Sequence, residues 1–215
     1  MLYQPDFDQL HKVLHNEEPD RPVLYEIGLG GALDFEAAKA AIDLPEFWDA
    51  VPDNPYLDRI WANLGYDYRQ MHTPGFRFPR PERHKSSSVS LNEGALITDR
   101  ASFEAYEWPD PDTADYDQLD AAEPPEGMKY VVWGPGGVLE NMIGIVGFDR
   151  LCLMTVDDPD LLEDVSAAVG ERLARYYELS ARSHNVGALM VNDDWGFKTQ
   201  TMLDPPSMRK YVIRW

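Results

Sequence analysis

The chain has 215 residues, 44% of them hydrophobic and 12% aromatic, enough for one large domain or two small ones with a sizeable core. Asp and Glu number 38 against 19 Lys and Arg, a net charge of −19, which argues against the basic face of a nucleic-acid binder and against attraction to an anionic membrane. No stretch nears the roughly 18 apolar residues of a membrane span, and the N-terminus has no basic segment followed by an apolar run, so a soluble, cytoplasmic protein is expected.

Cys152 is the lone cysteine, in the run Leu151-Cys152-Leu153-Met154. These residues alone can build neither an intrachain disulfide nor a cysteine-based zinc site, and Cys152 reads as a small buried hydrophobe.

In chain order, Phe7, Leu10, Val13 and Leu14 mark an amphipathic helix over residues 6–15. Residues 22–27 form a compact apolar run that predicts a first buried strand, followed by a turn at Gly28, Gly30 and Gly31. Helices are expected over 34–42 and, in two pieces, over 44–65, with Gly65 as a C-cap. Residues 66–71 are a second strand. Residues 73–127 are read as a hairpin and acidic surface excursion: a Pro- and Arg-rich loop (73–85), a hairpin (86–98) and a solvated acidic stretch (109–127). Residues 128–133 give a third strand, closed by Gly134-Pro135, and helical patterning resumes from Val138 to Met154. A long helix follows, with Asp158 as N-cap, Pro159 at its first position and apolar residues three or four apart to about residue 183. Residues 188–191 are a fourth strand, and Pro205 opens a last short helix. Apolar strands joined by helical crossovers predict a parallel α/β sheet, either doubly wound or a β/α barrel.

Three segments carry a family resemblance: Asp20-Arg21-Pro22-Val23; Gly134-Pro135 with Gly147-Phe148-Asp149 and Asp157-Asp158-Pro159-Asp160-Leu161-Leu162; and Gly187 through Asp193-Asp194-Trp195-Gly196-Phe197 to Leu203-Asp204-Pro205-Pro206-Ser207-Met208 and Tyr211. Together they resemble the uroporphyrinogen decarboxylase superfamily, which includes tetrapyrrole decarboxylases and corrinoid-dependent methyltransferases. The resemblance implies a TIM-type (β/α)8 barrel, of which residues 1–215 would be the N-terminal portion and about the first half. A closed barrel needs eight strands and typically about 250 residues.

Barrel sites sit at the C-terminal ends of strands. That rule, applied to the expected strands, nominates Asp193, Asp194 and Glu26 as catalytic carboxylates and Asp67, His72, Trp133, Asn192 and Trp195 as substrate-binding residues. A carboxylate after an apolar strand can orient a cationic substrate group, shuttle a proton, or hold a metal or a histidine, while Asp194 can equally cap the next turn. The decarboxylase branch carries arginines straight after its first strand, where this chain has Ile27-Gly28-Leu29-Gly30-Gly31-Ala32, and a tyrosine after its Gly-Pro, where this chain has Asn141. Methyl transfer between a corrinoid and a thiol or small methylated substrate is therefore the expected activity. Tetrapyrrole decarboxylation and a catalytically inert truncated barrel are the alternatives. The resemblance assigns no metal or cofactor to residues of this chain. It implies zinc and a corrinoid for a full-length parent, with a small-molecule substrate, a corrinoid protein as partner and a homo-oligomer as further expectations.

Three other patterns stand out in the sequence. Gly28-Leu29-Gly30-Gly31-Ala32-Leu33 has Leu33 where a dinucleotide fingerprint needs its third glycine. His11 and His15 share a helix face without a third ligand nearby. Arg77, Arg80, Arg83, His84 and Lys85 form a basic island in an acidic chain, able to clamp a phosphate or carboxylate, though such loops are more often solvated.

Overall fold

The computed structural model describes residues 3–27, 56–81, 94–121 and 123–215. These fall into two compact units: Met1–Thr73, Tyr116–Val132 and Ser180–Met190 make the first, and Pro74–Asp115, Trp133–Leu179 and Val191–Trp215 the second.

The first unit carries the sheet. Helix α1 (Phe7–Leu14) begins at Asp6, whose carboxylate accepts the Asp8 amide, and it buries Phe7 and Leu10. Helix α2 (Tyr56–Asn63) ends near Gly65, whose φ of +96° suits a glycine at a helix end. Strand β1 (Tyr68–Met71) pairs in parallel with β2 (Lys129–Trp133), Tyr68 opposite Lys129 and Met71 opposite Val132. Strand β3 (Val186–Met190) completes the order β1-β2-β3. Phe7, Leu10, Tyr66, Tyr68 and Val131 form a buried cluster, with Trp61, Ala188 and Met190 packed against it.

Two buried carboxylates brace this unit. Asp58 takes Arg69 at 2.8 Å and the Tyr130 hydroxyl at 2.9 Å. Asp67 takes Arg21 through two bonds of 2.6 and 3.0 Å, the Tyr3 hydroxyl at 2.9 Å and the Asp6 amide at 2.8 Å. Burial, and then Asp67 itself, push the Tyr3 hydroxyl up to about 12. The Asp58 and Asp67 side chains are both at 0% exposure, so each needs its cationic partner to offset lost hydration.

The second unit is mainly helical. Helix α3 (Arg100–Ala105) starts on a reciprocal cap between Asp99 and Ser102. Helix α4 (Asp117–Ala121) belongs to the first unit. Helix α5 (Val138–Val146) is separated from α6 (Phe148–Asp157) by Gly147, whose φ of +85° no helix accommodates. Helix α7 (Pro159–Ser180) starts as its sequence predicts, with the Asp158 carboxylate accepting the Leu161 amide at 3.1 Å. Gly170 in its middle leaves room for Trp215, whose ring atoms would lie 2.2 Å from an added Cβ. Helix α8 (Pro205–Met208) runs into one π-type turn, Arg209–Ile213.

The structure corrects several expectations. Residues 22–27 make no strand: the Glu26 amide and carbonyl bond the Tyr68 hydroxyl at 2.8 and 3.0 Å, and Leu24, Tyr25 and Ile27 are exposed. Glu26 therefore does not sit at a strand end. Asp67 precedes β1 rather than following it, so it lies at the end of the strand opposite to the one a barrel site uses. The helix expected at 34–42, the first helix of 44–65 and most of the hairpin (86–93) lie outside the described residues. The described part of that hairpin has no strand: the amides of Leu96 and Ile97 both bond the Ile145 carbonyl. The acidic stretch 109–127 is anchored rather than merely solvated, with Pro111, Ala114 and Leu119 buried and a 3-10 turn at Pro111–Thr113. Cys152 is partly buried, and burial pushes its thiol pKa up.

Candidate functional site

After β2 the chain turns through Gly134-Pro135-Gly136-Gly137 into α5. Gly137 stands at the N-cap position and has no side chain to close the helix. The first-turn amides, left without intrahelical partners, take an acceptor from the loop after β3: Asp193 accepts the Leu139 amide through Oδ2 at 2.8 Å and the Glu140 amide through Oδ1 at 2.9 Å. The indole of Trp195 also donates to Oδ2, at 3.0 Å. The positive end of the helix favours a carboxylate here.

Only glycine fits at 137. An added Cβ would lie 2.2 Å from Cβ and Cγ of Asp193 and 2.7 Å from the Asn192 carbonyl oxygen. Burial raises the Asp193 pKa, and the Asp194 charge adds to this. The two amides and the Trp195 indole oppose it without cancelling it. A carboxylate in this state can hold a proton closer to neutral pH than a solvated one.

The glycine turn is held from both sides. Tyr177 accepts the Gly134 amide at 2.9 Å, and burial pushes its hydroxyl up to about 12. Asn141, 1% exposed, donates from its amide to the carbonyls of Gly137 at 2.8 Å and Pro135 at 3.3 Å. Its Oδ1 accepts Arg80 Nη2 at 2.9 Å. The Gly137 amide meets the Glu140 carboxylate at 3.3 Å.

The nominated residues divide between the units. Trp133, Asn192, Asp193, Asp194 and Trp195 lie in the second, while Glu26, Asp67 and His72 lie in the first. Trp133 ends β2 and gives its carbonyl to the Tyr176 hydroxyl at 3.1 Å. Asn192 is half-buried, and its Oδ1 is buried without a hydrogen-bond partner. Asp194 is exposed and accepts its own loop's Gly196 amide at 3.3 Å, which is the turn-capping role weighed from sequence. The loop then closes on itself, with Phe197 and Gln200 bonded at 2.8 Å and Met202 bonded to Trp195 at 2.8 Å. Glu26 is exposed, Asp67 is committed to Arg21, Tyr3 and Asp6, and His72 is exposed just beyond β1.

Sequence reasoning did not select Gly137 or the Arg80–Asn141 pair as parts of this site. The available signals were the doubled glycine before a helix and a lone asparagine in the apolar stretch 138–146. Among the described residues no group of three or more His, Cys, Asp or Glu side chains could hold a metal ion. No helix among them is long and apolar enough to cross a membrane.

No family model, curated protein or solved structure matches the chain.

Proposed function

We propose that this chain is part of an enzyme of the uroporphyrinogen decarboxylase type, an incomplete β/α barrel, with methyl transfer between a corrinoid and a thiol or small methylated substrate as its chemistry. One observation carries the reading: the segments following two neighbouring strands, β2 and β3, are joined by the Asp193 carboxylate on the α5 amides. Sites built from the loops that follow parallel strands are the rule in barrels and open α/β sheets alike.

Asp193 is assigned to hold a proton or orient a donor group of the substrate, with Trp195 fixing the rotation of its carboxylate. Trp133 and Asn192 are assigned to contact the substrate, and Asp194 to shape the loop. A corrinoid carried by a partner protein would supply an electrophilic methyl group for transfer to the sulfur of the thiol substrate. The cationic cluster needed to neutralise a polyacidic tetrapyrrole is missing from residues 27–32, which favours methyl transfer over decarboxylation.

The test uses the protein from its complete reading frame, given methylcobalamin and a small thiol, with demethylation followed by the corrinoid's visible spectrum. Turnover is expected, and Asp193→Asn should lower it by about 100-fold, the ordinary scale of a lost acid–base group. Consumption of a porphyrinogen with release of carbon dioxide would replace the reading with decarboxylation. Absence of both reactions would leave an inert barrel.

A further inference from the structure

The loop after β3, from Asn192 to Leu203, is tied to its surroundings at few points. Among the described residues, Asp193 is the one loop residue whose hydrogen bonds leave the loop. The other bonds close inward. The Phe197 amide donates to the Gln200 carbonyl and the Met202 amide to that of Trp195, both at 2.8 Å, while the Thr201 hydroxyl donates to the Leu203 carbonyl and the Gly196 amide to Asp194. Gly196 and Thr201 pair in an antiparallel bridge, and a Cβ on Gly196 would lie 2.8 Å from the Gln200 carbonyl oxygen. The tip is therefore compact and moves as one body. Phe197 stands edge-on to Phe148 at the start of α6, with 6.3 Å between ring centres. Most of the loop is exposed, Trp195 and Phe197 included, whereas Leu203 is buried and anchors its far end.

The closed position carries two costs. Asn192 Oδ1 is shut off from solvent without a hydrogen-bond partner, and a buried acceptor that meets no donor is expensive. The Asp193 carboxylate is held in partial burial, which raises its pKa because burial disfavours the charged form. Outward movement hydrates both groups. Against these costs stand the two bonds to the Leu139 and Glu140 amides and the attraction of the helix end. Restraint at one residue, loaded by unmet polar demand there and at its neighbour, makes a latch rather than a brace: local opening breaks only those bonds. In the closed form both Asp193 oxygens are engaged, Oδ1 by Glu140 and Oδ2 by Leu139 and Trp195, so acting on a substrate competes with holding the loop.

We propose that residues 192–203 form a lid latched by Asp193 on the first turn of α5, and that opening the lid frees this carboxylate for the substrate. What opening achieves rests on the reading of Asp193 as the working carboxylate. The lid itself does not, and its test needs no turnover.

Amide hydrogen exchange and initial rates of trypsin cleavage are measured on the full chain, with the cut after Lys198 in the exposed loop tip read by mass spectrometry. In the parent, the Leu139 and Glu140 amides should exchange at least tenfold faster than those of Met142 and Ile143 further along α5. Asp193→Ala should speed the cut after Lys198 at least tenfold. The cut after Arg182, exposed in the turn beyond α7, should change less than twofold. Asn192→Leu keeps the side chain's size but removes the unpartnered oxygen, so it should act in the opposite sense and slow the Lys198 cut and the Leu139 exchange at least threefold. Circular dichroism checks folding, and because Asn192→Leu leaves the latch in place it decides the matter should Asp193→Ala fail to fold. An unchanged Lys198 cut in either folded variant, equal acceleration after Arg182, or exchange of Leu139 and Glu140 only in step with Met142 and Ile143 would overturn the lid. A loop that opens in this way on a protein without methyl transfer would uphold the lid and reject only the activity.

Discussion

Replacing Gly137 with alanine tests the latch between the two loops. The glycine has a φ of −88°, which alanine tolerates, so the backbone itself adds no strain. The cost is steric, because the new methyl would stand 2.2 Å from Cβ and Cγ of Asp193. Two responses are open. Squeezing the methyl in costs about 1–3 kcal/mol, the usual range for overpacking. Swinging Asp193 away forfeits the bonds to Leu139 and Glu140, each about 1.5–3 kcal/mol for a charged acceptor, partly offset by rehydration of the carboxylate. The cheaper response sets the result at about 2 kcal/mol, or about 4–8 °C in melting temperature for a chain of this size.

Thermal melting by circular dichroism reads this, and a double-mutant cycle assigns its cause. In an Asp193→Gly background the Cβ and Cγ atoms are gone, so most of the alanine cost should vanish, leaving the Asn192 carbonyl at 2.7 Å as the residual obstacle. Equal melting of Gly137→Ala and the parent, or the same alanine cost in both backgrounds, would refute the packing argument.

Two further outcomes are expected. Asp67→Ala strands the Arg21 guanidinium, the Tyr3 hydroxyl and the Asp6 amide, and should cost about 3 kcal/mol in urea unfolding, the low end for a broken buried pair, because 32% of the Arg21 side chain stays in solvent; a loss on the scale of a surface pair, about 0.5 kcal/mol, would show that this carboxylate does not anchor the N-terminus. For Asp193 the folded pKa is raised by burial, so the native state takes up its proton more readily than the unfolded chain. The contribution is fully present below the ordinary aspartate range and is lost as pH rises through the folded value. Parent stability, measured by urea unfolding, should therefore gain on that of Asp193→Asn as pH falls from neutral towards that range, and a constant difference would show that Asp193 titrates as a solvated carboxylate.

Much of the second unit was legible in the sequence because its determinants are local. Asp158-Pro159 with apolar spacing specifies the start of α7, and in the first unit residues 128–133 specify β2, an apolar run broken only by Lys129 whose central residues are buried. The segment 22–27 misled for the same reason: its composition is that of a strand, but a strand also needs a neighbouring backbone, and the Tyr68 hydroxyl and Gln70 side chain take the Glu26 groups instead. Gly147 looked like any helical residue in an apolar stretch, and only its positive φ splits α5 from α6.

The candidate site divides along the same line. The sequence by itself determined that carboxylates follow β3, that a glycine-rich turn follows β2 and that a basic island interrupts an acidic chain. Composition and order carry that information, because each feature is written within a few consecutive residues. Tertiary structure alone decided that Asp193 and not Asp194 meets the α5 amides, that Asp67 faces inward onto Arg21, and that Arg80 is seated by Asn141. Those choices depend on which backbone donors and side-chain amides the fold brings within about 3 Å of a given oxygen or nitrogen, across separations of 54, 46 and 61 residues. No local pattern encodes such a meeting, because it is set by how the intervening chain packs.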